Sequence, residues 1–263
     1  VFENVLAYLP TSDILAMRNI GLAVMEKMSA PELQIYQARQ VYEEALHTWT
    51  YQHCIESLGL DQQEIYNRYR VVPEIHGKIA LANRRLEKVL RSDFDLTERA
   101  NLHEFALSYF FFAVIFEGCW FYNGFTPVFA LQRRGLMKGA AEQLQYIMRD
   151  EALHCAFGIR VIRELLIEEN LTLDPAALRQ LWDEAEAAET AYAAFICANP
   201  SSAITPSCMS SSSASSPTAG RGKSASPSLS PGPRMSCHGS TNRPTCARRR
   251  TSSKPVLPST RPA

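Results

Sequence analysis

The tetrapeptide Glu44-Ala45-Leu46-His47 recurs as Glu151-Ala152-Leu153-His154. In each copy a carboxylate and an imidazole stand three positions apart, which places both on one face of an α-helix. Glu-x-x-His on its own is usually a solvated helix face, so the surroundings decide. Glu117 lies in Phe-Ala-Val-Ile-Phe-Glu-Gly-Cys-Trp-Phe-Tyr, apolar on nearly every side, and Asp13 stands among apolar residues near the start of an earlier helical stretch. A carboxylate buried alone is costly, so each needs a proton, a cationic partner or a metal. Two helices giving one carboxylate each and two giving Glu-x-x-His supply the ligand set of a carboxylate-bridged dimetal centre. The four carboxylates of Asp13, Glu44, Glu117 and Glu151 neutralise two divalent ions. With His47 and His154 they form a hard oxygen and imidazole set that suits iron or manganese better than copper or thiolate-held zinc. The structural alternative gives Asp13 and Glu117 a separate partner each.

The elements that must position these residues read as helix after helix. Apolar spacing predicts a helix over 12–28, following Pro10 and Thr11. Pro31 occupies a first-turn position for a helix over 32–58 that Gly59 ends. A short helix is expected over 62–69, and another over 74–91 with a basic, solvated face at Arg84, Arg85, Lys88 and Arg91. Thr97 caps a helix running through Phe121, disturbed near Gly124 and interrupted by Pro127. The longest periodic stretch is 138–169, and Asp174-Pro175 starts a last helix to about Cys197. No segment alternates with period two, so the expected fold is an all-α bundle.

Composition divides the chain. Of 263 residues, 27 are Lys or Arg and 27 are Asp or Glu, a formal net charge of zero. The last acid is Glu189, and 201–263 hold nine basic residues, eighteen serines and nine prolines without an acid or an aromatic ring. The body to residue 200 therefore carries −9 and the tail +9. The expected organisation is a helical domain over 1–198 and a disordered tail over 199–263. A basic nucleic-acid-seeking arm is one reading of that tail. Out-of-frame translation of a GC-rich gene is the preferred one, so no nucleic-acid partner is expected. Seven cysteines without a CxxC pair exclude a zinc ribbon and a disulfide scaffold, and Cys54, Cys119 and Cys155 read as buried thiols of a reduced, cytoplasmic protein. The apolar run 105–116 is too short to cross a bilayer, so no membrane association is expected.

Over residues 1–197 the sequence resembles the small, radical-generating subunit of class I ribonucleotide reductase, in the ferritin-like superfamily. The motifs carrying the resemblance are Arg149-Asp150-Glu151-Ala152-Leu153-His154, Glu117-Gly-Cys-Trp-Phe-Tyr, and Thr11-Ser12-Asp13 placed 31 residues before Glu44. The resemblance implies a ferritin-like bundle with one metal on Asp13, Glu44 and His47 and the other on Glu117, Glu151 and His154, Glu44 and Glu151 bridging. It implies a di-iron cofactor, with manganese–iron as the alternative, and dioxygen as oxidant. It also implies that Tyr51, one turn beyond His47, is the radical tyrosine, in a pocket lined by Phe121, Phe125 and Ile147. Asp150 would hold His47, and Gln40, one turn before Glu44, would hold a ligating carboxylate such as Glu117. His53, His76 and His103 lack the paired acid and read as surface or capping residues, while Trp120 and Tyr122 read as core.

The resemblance further implies a homodimer that passes its radical to a large subunit, which reduces ribonucleotides to deoxyribonucleotides. Two departures stand against full turnover. The family's tryptophan of the radical-transfer chain would precede Val1, and its transfer tyrosine and C-terminal docking peptide would follow Ala198. The expectation is a metal site that assembles and a chain impaired in turnover. The rival is a ferritin-like dimetal oxidase or ferroxidase without a stable tyrosyl radical. A metal-free helical interaction protein is the reading from another class.

Overall fold

Helices begin ten residues earlier than apolar spacing predicts. In the computed structural model, which describes residues 1–198, α1 spans Phe2–Arg18 and carries Pro10 inside it. Val5, Leu6, Ala7, Tyr8 and Leu9 are all buried there, and their burial outweighs the backbone hydrogen bond that Pro10 cannot make. The predicted continuation to Met28 is a π-helical segment, Asn19–Val24, and one 3₁₀ turn, Met25–Lys27.

The next helices follow expectation closely. α2 spans Pro31–Ser57 with proline in its first turn, and Gly59 takes the left-handed φ of 63° that ends it. α3 spans Gln62–Val71, capped by the Asp61 carboxylate, which accepts from the Glu64 backbone N–H, and α4 spans Pro73–Val89. α7 (Lys138–Glu168) and α8 (Pro175–Cys197) match the last two predicted helices, and the Asp174 carboxylate accepts from the Ala176 N–H.

The middle of the chain differs from expectation. α5 (Arg99–Phe110), a π-helical segment (Phe111–Phe121) and α6 (Tyr122–Arg133) run on as one continuous helix of 35 residues, not stopped by Gly124 or Pro127. Thr97 is not its cap; Glu98 stands there without a side-chain bond. Phe121, Phe125 and Val128 are fully buried around the proline, and that burial exceeds the roughly 3 kcal/mol of an internal proline. This rod is long and apolar enough to cross a membrane by length and composition, which the shorter run 105–116 is not. Yet 78% of its most apolar window is buried inside the fold, so it is the core helix of the bundle.

α1 packs on α2, the π-helical segment on α7, and α4 on α8, with no strand among the described residues: an all-α bundle. The approach of α7 to the π-helical segment needs Gly158, where a Cβ would collide with the Ala113 Cβ. Cys54, Cys119, Cys155 and Cys197 form no disulfide; Cys54 and Cys119 are buried and Cys155 is half-buried. The tail over 199–263, expected to be disordered or out of frame, lies outside the described residues.

One buried ion pair was not legible in the sequence. Lys78 is fully buried, its Nζ 2.6 Å from Glu189 Oε2 and 3.7, 4.4 and 4.7 Å from the rings of Tyr8, Tyr192 and Trp120. Burial pushes the Lys78 amine down to about 8 against the pull of Glu189. Lys78→Ala leaves the Glu189 carboxylate buried without a counter-charge and should cost about 3–5 kcal/mol in urea denaturation. The paired replacement Lys78→Met with Glu189→Leu should recover most of that loss. The basic face at 84–91 is solvated as expected at Arg84, Lys88 and Arg91, while Arg85 is half-buried, 3.6 Å from Glu104 and 3.7 Å from Glu184.

Candidate metal centre

Four helical stretches bring the six expected residues together. α1 supplies Asp13, α2 supplies Glu44 and His47, the π-helical segment supplies Glu117, and α7 supplies Glu151 and His154. All six are buried, with exposures of 0–2%. Ligand atoms of Asp13, Glu44, His47 and Glu151 lie within 4.8 Å of one another, and so do those of Glu44, Glu117 and His154. Glu44 belongs to both groups. Glu151 also faces both, with Oε1 3.3 Å from His47 Nδ1 and Oε2 3.3 Å from His154 Nδ1. Two overlapping donor groups sharing carboxylates are what a pair of bridged ions requires.

The site is unsatisfied without cations. Both oxygens of Asp13, both of Glu44, Glu151 Oε1 and His47 Nδ1 are buried without a hydrogen-bond partner. His47 Nδ1 lies 3.5 Å from Asp13 Oδ1, and His154 Nδ1 lies 3.1 Å from Glu44 Oε1, approaches without hydrogen-bond alignment. Orphaned ligand atoms converging from three helices are costly, and two divalent ions would satisfy them together. The separate partners of the structural alternative are not what the geometry gives: Asp13 has none outside the cluster, and Glu117 is held by a neutral amide.

Protons fill part of that role when metal is absent. Burial pushes Asp13 up to about 6 and Glu117 up to about 8. Glu44 is raised well above the usual carboxylate range by burial and by the charge of Glu151. Burial opposes charge on His47, yet Asp13 and Glu151 beside it hold the ring up to about 11; His154 is raised in the same way by Glu151 and Glu44. Glu151 is held below its usual value, because His154 and His47 outweigh its burial.

Two surrounding side chains bond members of the cluster. Gln40 donates to both oxygens of Glu117 at 3.1 Å, and Asp150 Oδ2 lies 3.2 Å from His47 Nε2. Tyr51 is fully buried, and its hydroxyl has no hydrogen-bond partner. Burial, then the charges of Asp13, Glu151 and Glu44, raise its phenol well above 10. Phe121, Phe125 and Ile147 are buried in the same apolar core, with Phe121 stacked on Phe125 at 6.4 Å between centroids.

The family profile for the ribonucleotide reductase small chain matches residues 1–210. The chain belongs to that family. The ribonucleoside-diphosphate reductase subunit beta of Chlamydia pneumoniae is 36% identical over 165 residues, which is 63% of this chain and 47% of that protein. The ribonucleoside-diphosphate reductase small subunit of Dictyostelium discoideum is 29% identical over 193 residues, 72% of this chain and 52% of that one. The chain thus spans about half the length of these curated relatives. A crystal structure of a candidate class I ribonucleotide reductase from Bacillus halodurans superposes with a TM-score of 0.68 at 21% identity, covering 79% of this chain and 73% of that one. That likeness supports the fold alone.

Two features of this small-chain member escape a reading of motifs. Glu43 is buried, with Oε2 2.9 Å from His154 Nε2 and Oε1 held by Arg39 Nε and a terminal guanidinium nitrogen, each at 2.8 Å. A signal existed, since an acid precedes both copies of Glu-Ala-Leu-His. The π-helical turn carrying Glu117 had none, because π-helical and α-helical stretches share one apolar composition. His53 and His76 are exposed and His103 accepts from the Asp174 N–H, as expected of surface or capping residues; Trp120 is core as expected, but Tyr122 is only half-buried, its hydroxyl donating to the Met148 carbonyl.

Proposed function

We propose that this chain is the dimetal, radical-generating part of a class I ribonucleotide reductase small subunit, acting with a large subunit that reduces ribonucleoside diphosphates. The observation that carries this reading is the buried six-residue cluster, with orphaned atoms on Asp13, Glu44, His47 and Glu151, and a buried, partnerless Tyr51 hydroxyl four residues beyond His47. The residues proposed to hold the two ions are Asp13, Glu44, His47 and Glu151 on one side and Glu44, Glu117, Glu151 and His154 on the other. Four carboxylates and two imidazoles fit a di-iron pair, and Tyr51 as radical site favours it over manganese–iron. When bound, the pair would supply the oxidising equivalents of dioxygen.

The chain's own residues set the terms of the chemistry. Tyr51 enters protonated, because burial and the neighbouring carboxylates disfavour phenolate, so electron and proton must leave it together. Its hydroxyl donates to no fixed acceptor that would trap the phenol in one state. Phe121, Phe125 and Ile147 keep water and reductants out. Asp150 and Gln40 hold His47 and Glu117 in place before metal arrives.

Loading the purified chain with ferrous iron under argon, admitting oxygen and recording low-temperature EPR tests the proposal. Close to two irons per chain and a tyrosyl signal are expected. Two irons without any tyrosyl signal would favour a dimetal oxidase on the same bundle, and failure to retain two metals would remove the dimetal reading. Homodimer formation and cytoplasmic residence belong to the same proposal, and sedimentation of the loaded chain tests the first.

A further inference from the structure

The two motifs share more than Glu-Ala-Leu-His. With the preceding residue they read Glu43-Glu44-Ala45-Leu46-His47 and Asp150-Glu151-Ala152-Leu153-His154, each with an acid before its central glutamate. The two acids are exchanged between helices. Asp150 on α7 meets His47 Nε2 on α2 at 3.2 Å, and Glu43 on α2 meets His154 Nε2 on α7 at 2.9 Å. Each imidazole is therefore gripped from outside through Nε2 and turns Nδ1 inward. His47 Nδ1 lies 3.3 Å from Glu151 Oε1, and His154 Nδ1 lies 3.1 Å from Glu44 Oε1.

The two clasps are not equivalent. The Asp150 side chain is 31% exposed, that of Glu43 only 10%. The Glu43 oxygens are divided: Oε1 meets Nε and one terminal nitrogen of Arg39 one turn earlier, which leaves Oε2 to His154. Arg39 is 65% exposed, so a surface guanidinium fixes the rotamer of a buried carboxylate that fixes an imidazole. An acceptor on Nε2 selects the tautomer that leaves Nδ1 free for a cation.

We propose that Glu43, clamped by Arg39, is the positioning residue that presents His154 Nδ1 to the second metal ion, as Asp150 presents His47 Nδ1 to the first. This rests on the dimetal reading above. Arg39 acts only through Glu43, so the clasp is a chain of two contacts from the surface to one ion. The other ion is left to the other clasp.

Zinc tests the clasp without redox chemistry, because it is diamagnetic and its uptake is read by competition with a chelator. The unaltered chain should take up two zinc ions. In Glu43→Gln, which keeps side-chain volume, one of the two should bind about 10- to 100-fold more weakly while the other keeps its affinity. Arg39→Gln should weaken that same ion by about 2- to 5-fold, and adding it to Glu43→Gln should cost nothing further. Nitrogen-15 NMR of the histidine-labelled, zinc-loaded chain assigns the loss. The His154 ring should show a metal on Nδ1 and a proton on Nε2, and Glu43→Gln should disturb its signals and leave those of His47 unchanged. Two zinc ions held within twofold of the unaltered chain in Glu43→Gln would overturn the proposal and leave the dimetal reading intact. A loss at His47, or losses that add between Arg39→Gln and Glu43→Gln, would also overturn it. An unaltered chain that does not take up two zinc ions would bring down the dimetal reading itself. If Glu43→Gln does not fold, Arg39→Gln at the exposed position carries the test alone, and an unchanged affinity there would sink the clasp.

Discussion

Tyr51→Phe should abolish the tyrosyl EPR signal and leave both metal ions in place. Conversion removes one oxygen atom that is buried and makes no hydrogen bond. A buried hydroxyl without a partner contributes little or negatively to stability, so the variant should unfold within about 1 kcal/mol of the unaltered chain. The ring itself, fully buried in the core, is retained. Loss of the signal with metal content and stability preserved separates a residue kept for its chemistry from one kept for packing. A tyrosyl signal surviving in Tyr51→Phe would move the radical to another tyrosine and defeat the assignment.

Metal should stabilise the chain strongly, and more so as pH rises. Each ion at 100 times its dissociation constant adds about 2.7 kcal/mol, so two add about 5 kcal/mol, which for a domain of this size is about 10–20 °C in Tm. The pH dependence follows from the raised groups. Asp13 at about 6, Glu117 at about 8 and His47 at about 11 all lie above their ordinary values, so between those ordinary values and the raised ones the folded metal-free chain holds more protons than the unfolded chain. Stability that depends on a raised group is present below its unfolded value and lost as pH climbs through the folded one. The metal-free chain should therefore lose stability from pH 6 to 8.5, by up to about 1.4 kcal/mol per pH unit for each proton involved. Metal needs the same groups deprotonated, so its affinity rises over that range and the loaded chain should hold its stability. Urea midpoints at both pH values, with and without metal, measure the gap. A gap that narrows with pH, or Glu117→Ala taking up metal as the unaltered chain does, would count against this site.

How much was legible in the sequence follows from which interactions are local. The helices over 31–57 and 175–197 were readable because Pro31, Gly59 and Asp174-Pro175 act on their own immediate backbone, and that over 138–168 because its apolar period runs uninterrupted. The helix through Pro10 and the rod through Pro127 were not, because both prolines are overruled by side chains buried against distant elements. The cationic box of Tyr8, Trp120 and Tyr192 around Lys78 draws on four separated positions and has no sequence signal.

By itself the sequence determined the all-helical class, the six candidate donors and the tyrosine one turn beyond a histidine. Spacing of three and four along a helix is a property of the chain alone. Tertiary structure alone decided how the donors are shared, with Glu44 and Glu151 facing both groups, and which nitrogen of each histidine turns inward. It also decided that Glu43 reaches across to His154 and that Glu117 rides on a π-helical turn. These are relations between helices 77 to 111 positions apart, set by how buried faces pack, and no local pattern encodes them.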